Sequence, residues 1–205
     1  MIIEVCAESY EYAVKAEKAG ADRVELCKDL HLDGLTPDYE SAKRTIDKLN
    51  IPVFILIRPR EGDFIYSNEE FELMKSDIIK FKEMGCKGIV SGVLNDDNSI
   101  DIERTKEIVE LSRPLEFTFH RAFDLVNSPL KEIENLIELG VNRILTSGQK
   151  EKAIDGLALI EQIKNTSNNR IVIMPGSGIC NTNFKKFNSF NEIHGSFKEG
   201  IPIIN

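Results

Sequence analysis

Eight short apolar runs recur along the chain and alternate with stretches of helical character: Ile2–Cys6, Arg23–Cys27, Pro52–Arg58, Gly88–Ser91, Leu115–His120, Arg143–Thr146, Ile171–Met174 and Glu192–His194. Polar residues or glycine stand just past the end of most of them. Short apolar runs separated by helices are what parallel strands covered on both faces leave in a sequence. Eight such units predict an α/β fold of the (β/α)8 TIM-barrel type. They also predict a single domain over residues 1–205, with its functional groups at the C-terminal ends of the strands.

The entries to the strands alternate between two kinds. One kind follows a glycine that ends the preceding helix, as in Ala19-Gly20-Ala21-Asp22, Met84-Gly85-Cys86-Lys87 and Leu139-Gly140-Val141-Asn142. Gly20, Gly85 and Gly140 are expected in the left-handed conformation that closes a helix and suits a residue without Cβ. The other kind enters through proline or a polar turn, as in Asn50-Ile51-Pro52, Ser112-Arg113-Pro114 and Asn168-Asn169-Arg170. Helix starts agree with this reading: Thr36-Pro37 and Ser128-Pro129 each pair a capping hydroxyl with a proline, and Ser67-Asn68-Glu69-Glu70 has the pattern of a capping box.

The pattern thins towards the end. The seventh helix is confined to about Thr182–Ser189, and only Gly195–Asn205 follow the eighth strand, too few for a full closing helix. A shortened or missing final helix is expected. With it comes an apolar groove between the first and seventh helices, which a second copy of the chain would cover. A homo-oligomer is expected, a dimer in the first instance.

Charge narrows the function classes. The 34 acidic against 26 basic residues, a formal net charge of −8, argue against a nucleic acid or an anionic membrane as partner. No run approaches the roughly 20 apolar residues that span a bilayer, and no basic flank precedes a long apolar stretch at the N-terminus. A cytoplasmic protein is expected, and its four cysteines then read as reduced thiols rather than a disulfide framework.

Candidate chemistry follows from strand alternation, since residues two apart share a face. Glu4 with Cys6, and Glu25 with Cys27, are expected to enter the barrel mouth from neighbouring strands. Two adjacent thiols suit a soft ion, Cu(I) first among biological metals and zinc as a competitor wanting more ligands. Buried thiols that merely fill space are the alternative. Arg58 follows the third strand, where it is expected to bind an anion, to neutralise Glu4 and Glu25, or both. His120 and Arg121 follow the fifth; an imidazole near its ordinary pKa moves protons, and Arg121 is a further anion donor unless Asp124 only orients it. Ser147 follows the sixth strand. Glycine-rich turns, Gly176-Ser177-Gly178 after the seventh strand and Gly195-Ser196 after the eighth, stand where many barrels hold an anion through backbone amides. His31 lies in a loop and is expected in solvent.

Together these segments resemble the CutC family, long named for copper homeostasis. The resemblance rests on Ala19-Gly20-Ala21-Asp22-Arg23-Val24-Glu25-Leu26-Cys27, Gly34-Leu35-Thr36-Pro37, Ile57-Arg58-Pro59-Arg60 with Gly62-Asp63-Phe64, Thr118-Phe119-His120-Arg121-Ala122-Phe123-Asp124, and Leu145-Thr146-Ser147-Gly148-Gln149. It implies a cytoplasmic, commonly oligomeric barrel linked to copper, with Cys6 and Cys27 similar to cysteines implicated in Cu(I) binding. Members usually carry a longer insertion and a closing helix at the C-terminus, which this sequence lacks. Two functional readings stand. One is a copper-binding protein of copper homeostasis, holding Cu(I) through Cys6 and Cys27. The other is an enzyme on a small anionic or phosphorylated metabolite. Arg58, Arg121, Ser147, Gly176, Ser177, Gly178, Gly195 and Ser196 would bind that anion, and Glu4, Glu25 or His120 would serve as acid or base.

Overall fold

In a computed structural model, which describes residues 1–196, eight parallel strands alternate with helices. The strands are β1 (Ile2–Ala7), β2 (Arg23–Leu26), β3 (Val53–Leu56), β4 (Gly88–Ser91), β5 (Glu116–Phe119), β6 (Arg143–Thr146), β7 (Val172–Pro175) and β8 (Glu192–Gly195). The α-helices among the described residues are α1 (Tyr10–Lys18), α2 (Tyr39–Lys48), α3 (Asn68–Met84), α4 (Ile102–Ser112), α5 (Pro129–Glu138) and α6 (Leu157–Ser167). Neighbouring strands follow chain order from β1 to β7, and β8 returns to pair with β1. A single parallel bridge, Gly176 to His194, joins β7 to β8 and brings the ring to closure. This is the TIM-barrel architecture that the eight runs predict.

Each strand end bears out its run to within a residue or two, because the side chains that face the helices are apolar along every strand. Val5, Val24, Leu26, Ile55, Ile89, Phe117, Ile144 and Ile193 face outward into one continuous core under the helices. A smaller inner cluster, Cys6, Cys27, Phe54, Leu56 and Val90, fills the ring itself. Below it the interior is charged. Arg23 bonds Glu4 and Glu192, and Arg143 bonds Glu192, Glu116 and the Thr118 hydroxyl. Both guanidinium groups lie over the Phe54 ring, at 4.7 and 5.4 Å from its centre. Gly88 makes room for that ring: a Cβ there would stand 2.5 Å from it.

Turn chemistry holds in part. Gly20, Gly85 and Gly140 have φ of 98°, 94° and 78°, the left-handed conformation expected of them. Ser67 and Glu70 form the reciprocal capping box at α3. Two caps differ. Asp38, not Thr36, caps α2 by accepting from the Ser41 N–H, and the Thr36 hydroxyl accepts instead from the Arg58 N–H at 2.8 Å. Ser128 precedes Pro129 at the start of α5, as expected, but its hydroxyl makes no cap bond.

Between β7 and β8 the chain makes only a short 3-10 helix, Phe184–Phe187, a shorter element than the Thr182–Ser189 helix expected. The expected absence of a final helix concerns residues 197–205, which lie outside the described residues. The same holds for what covers the space beside α1.

Two stability outcomes follow. Replacing Glu192 by alanine leaves two buried guanidinium groups with one carboxylate each, Glu4 for Arg23 and Glu116 for Arg143, and should cost about 3 kcal/mol in chemical denaturation. Gly88→Ala should cost about 1–3 kcal/mol by overpacking against Phe54, with an unchanged denaturant slope.

Candidate functional site at the barrel mouth

A cavity of about 550 Å³ opens at the C-terminal ends of the strands and is lined by Cys6, Glu25, Arg58, His120, Arg121, Ser177, Gly178, His194, Gly195 and Ser196 among others. Strand alternation delivers these groups. Cys6 stands two residues after Glu4 on β1, and β2 brings Arg23, Glu25 and Cys27 to the same side. Register sets Glu4 opposite His194 and Cys6 opposite Glu25. A second cavity of about 600 Å³ at the opposite end of the barrel, lined by Ile51, Pro52, Leu115 and Glu116 among others, contains none of the predicted site residues.

One wall of the mouth carries sulfur, carboxylate and imidazole. The Cys6 and Cys27 sulfurs lie 3.5 Å apart, and both cysteines are free thiols. Cys6 Sγ is 3.7 Å from Glu25 Oε1, and Cys27 Sγ is 3.6 Å from the Ala7 carbonyl. Cys6, Glu25 and His194 each present a ligand atom within 4.8 Å of the others. The Cys6 thiol is held well above its usual range by the hydrogen bond with Cys27, by burial, and by the charges of Glu25 and Glu4.

The two glutamates differ sharply. Burial would raise the Glu4 carboxyl, but Arg23 and His194 outweigh it and bring its pKa down to about 2. Its Oε1 lies 2.8 Å from His194 Nδ1. Glu4 is fully buried beneath the cavity and bound on both oxygens, so the proton-transfer role expected of it finds no free oxygen. Glu25 is pushed up to about 7, chiefly by burial and further by Glu4, against the pull of His194 and Arg23. Its Oε2 has no hydrogen-bond partner. His194 goes upward: burial opposes the charge, but Glu25 and Glu4 outweigh it.

The facing wall differs from expectation at both cations. Arg58 does not neutralise Glu4 or Glu25. Arg23 and His194 serve Glu4, while Arg58 donates to the carbonyls of Leu32, Gly34 and Gly62 at 2.8, 3.1 and 3.0 Å. His120 does not sit near its ordinary pKa. Burial first, and then the Arg58 charge, drive it down to about 3. Its Nδ1 accepts from the Ala122 N–H, which leaves the proton of the neutral ring on Nε2, and Nε2 has no partner. At neutral pH this ring is a hydrogen-bond donor rather than a proton shuttle.

Arg121 pairs with Asp124 at 2.9 Å and donates to the Ser147 hydroxyl. Asp124 also accepts from the Thr146 hydroxyl and the Ser147 N–H, so it both orients Arg121 and ties down the turn after β6. Ser147 is wholly buried under these bonds and does not line the cavity. Of the turn after β7, the Gly176 N–H donates to the Thr146 carbonyl and is spent there, and the Ser177 hydroxyl donates to the Glu151 carbonyl. That engagement removes Gly176 as an anion-binding amide. Gly178, Gly195 and Ser196 remain at the cavity edge. His31 is exposed, as expected.

Sequence reasoning passed over Arg23 as the partner of Glu4, and His194 as a site residue. Both were within reach of the same alternation: Arg23-Glu25-Cys27 and Glu192-His194 repeat the two-residue spacing of Glu4-Cys6.

The CutC family model matches residues 1–199. The chain belongs to the CutC family. A human copper homeostasis protein cutC homolog is 45% identical over 185 residues, covering 90% of this chain and 68% of the human one. A CutC protein of Pasteurella multocida is 43% identical, with 97% of this chain and 82% of that one covered. The crystal structure of a CutC protein from Streptococcus agalactiae superposes with a TM-score of 0.90 at 32% identity, covering 96% of this chain and 99% of that one. An aldolase at 16% identity and a TM-score of 0.71 shares the fold alone. Among the described residues no helix is long and apolar enough to cross a membrane.

The pKa of Glu25 gives this CutC-family site a measurable signature. A carboxyl raised from 4.5 to about 7 on folding keeps its proton in the folded state while the unfolded chain loses it. Its contribution is therefore present below pH 4.5 and declines as pH rises to 7. Glu25→Gln removes that decline. Measured by urea unfolding, the variant should gain on the wild type steadily between pH 4.5 and 7; a constant difference across that window would contradict the shift.

Proposed function

We propose that this CutC-family chain serves copper homeostasis in the cytoplasm by holding one Cu(I) ion between Cys6 and Cys27. The observation that carries this reading is the 3.5 Å approach of two free sulfurs from adjacent strands. Thiolate sulfur is a soft ligand and selects Cu(I) over the harder biological cations. The surroundings are also soft: Phe54, Leu56 and Val90 pack with the two cysteines, and Leu30 packs over them. Cys6 lines the cavity while Cys27 is almost fully buried, so an ion arriving through the mouth meets Cys6 first.

The ion displaces the thiol protons, because the thiolate is the ligand. Raising the pH should therefore strengthen binding. The three-ligand set of Cys6, Glu25 and His194 suits a borderline ion such as Zn(II) better than Cu(I), and this separates the two metals by mutation.

Anaerobic titration of Cu(I) against a competing chelator should show one equivalent bound by the wild type. Binding should be lost in Cys6→Ser and in Cys27→Ser, and kept in His194→Ala. Undiminished affinity in the double cysteine variant would remove Cu(I) from the site, and loss in His194→Ala with retention in Cys27→Ser would assign the metal to the mixed set instead.

A further inference from the structure

Three buried polar atoms around the cavity have no hydrogen-bond partner: Glu25 Oε2 on the metal-binding wall, and Arg58 Nε and His120 Nε2 on the opposite one. The latter two belong together. Arg58 follows β3 and His120 follows β5, with β4 between them, and Gly92 just past β4 is what lets the imidazole lean across. A Cβ at Gly92 would stand 2.8 Å from His120 Nδ1. Phe64 packs on both groups: its ring centre is 4.7 Å from that of His120 and 5.0 Å from the Arg58 guanidinium carbon.

Arg58 carries a charge that nothing among the described residues balances. The side chain is 5% exposed, its two terminal nitrogens are held by neutral carbonyls, and no carboxylate pairs with it among the described residues. Arg23, Arg60, Arg121 and Arg143 each hold at least one carboxylate. A buried cation without a counter-charge is costly, and that cost is recovered when an anion arrives. Next to it His120 is neutral, with its proton on the unpartnered nitrogen.

We propose that Arg58 and His120 form a subsite for the carboxylate of a small metabolite, with Phe64 as the side chain that swings aside to admit it. The chemistry selects carboxylate over phosphate. One guanidinium N–H and one imidazole N–H match the two oxygens of a carboxylate, and its single negative charge balances the one uncompensated positive charge. A phosphate dianion brings a second negative charge, and among the described residues this wall has no second cation without a carboxylate to balance it, since Arg121 is paired with Asp124. The loop that carries Phe64 is braced for such a role: Arg60 ties Asp63, Glu70 and the Ile65 carbonyl together, so the Phe64 ring can move while its backbone stays. A carboxylate anchored here leaves the remainder of the molecule facing Cys6, Glu25 and His194. The subsite goes beyond metal binding and uses none of the proposed Cu(I) ligands.

Isothermal titration calorimetry of the full chain with pyruvate and with malonate, and with inorganic phosphate as comparison, tests this directly. Saturable one-to-one binding of at least one carboxylate is expected, with phosphate at least tenfold weaker. Affinity should fall tenfold or more in Arg58→Met and in His120→Phe. Arg58 also holds three loop carbonyls, so His120→Phe, which keeps a ring against Phe64, decides the matter if the arginine variant misfolds. Because the chain has no tryptophan, Phe64→Trp supplies a single fluorophore whose emission should change as the carboxylate binds. The proposal falls if neither carboxylate gives saturable binding, if phosphate binds as tightly, or if His120→Phe binds the carboxylate like the wild type. Retention of the Cu(I) equivalent by His120→Phe shows that the metal reading stands or falls separately.

Discussion

The closed ring depends on the charged lattice inside its lower half. Arg23 of β2 is held by Glu4 of β1 and Glu192 of β8, and Arg143 of β6 by Glu192 and by Glu116 of β5. The backbone joins β7 to β8 through one bridge, and the lattice spans that seam: Glu192 takes both arginines from strands on either side of it. Buried ion pairs are weak evidence for stability, since apolar residues of equal volume often serve as well. What such a lattice enforces is register. A strand slipped by one residue would turn Glu4, Arg23 or Glu192 outward into the apolar layer under the helices, where no opposite charge awaits it.

Above the lattice, identical residue types behave in opposite ways because their neighbours differ. Glu4 faces a guanidinium and an imidazole and stays ionised to about pH 2, whereas Glu25, fully buried with one oxygen unpartnered, holds its proton to about 7. His194, beside two carboxylates, goes up; His120, beside Arg58, goes down to about 3. Each pair lies within one small barrel interior. The sign of the local charge, more than depth, separates the members of each pair, since all four are buried. The mouth thereby acquires two unlike walls, one of thiols, a titratable carboxyl and an imidazole held between carboxylates, the other of an uncompensated guanidinium and a neutral donor.

That division matters for how a CutC-family barrel can be used. The thiol wall suits a soft metal and the cationic wall suits an organic anion, and the inner apolar cluster of Phe54, Leu56 and Val90 packs against the two thiols while Glu4 links that wall to the lattice beneath through His194 and Arg23. Gly92 and Gly88 are the positions that allow it, because each yields its side-chain volume to a ring crossing the interior, His120 in one case and Phe54 in the other.

Much of the barrel was legible in the order of residues. Eight apolar runs, glycines at three helix ends and the Ser67–Glu70 cap are local signals, set by backbone geometry and by which positions must leave water, and they hold wherever the segment is placed. The convergence of Cys6, Glu25 and Cys27 was legible for the same reason, since alternation of faces is a property of a single strand. The partners of those groups were not. Whether Arg58 or Arg23 neutralises Glu4, whether His120 or His194 stands beside the carboxylates, whether Thr36 caps a helix or a neighbouring backbone: each depends on residues brought from far along the chain to within a few ångströms. Hydrogen bonds and contact ion pairs form only at those distances, so periodicity along the sequence decided which residues point inward, and only the closed ring decided what each of them meets there.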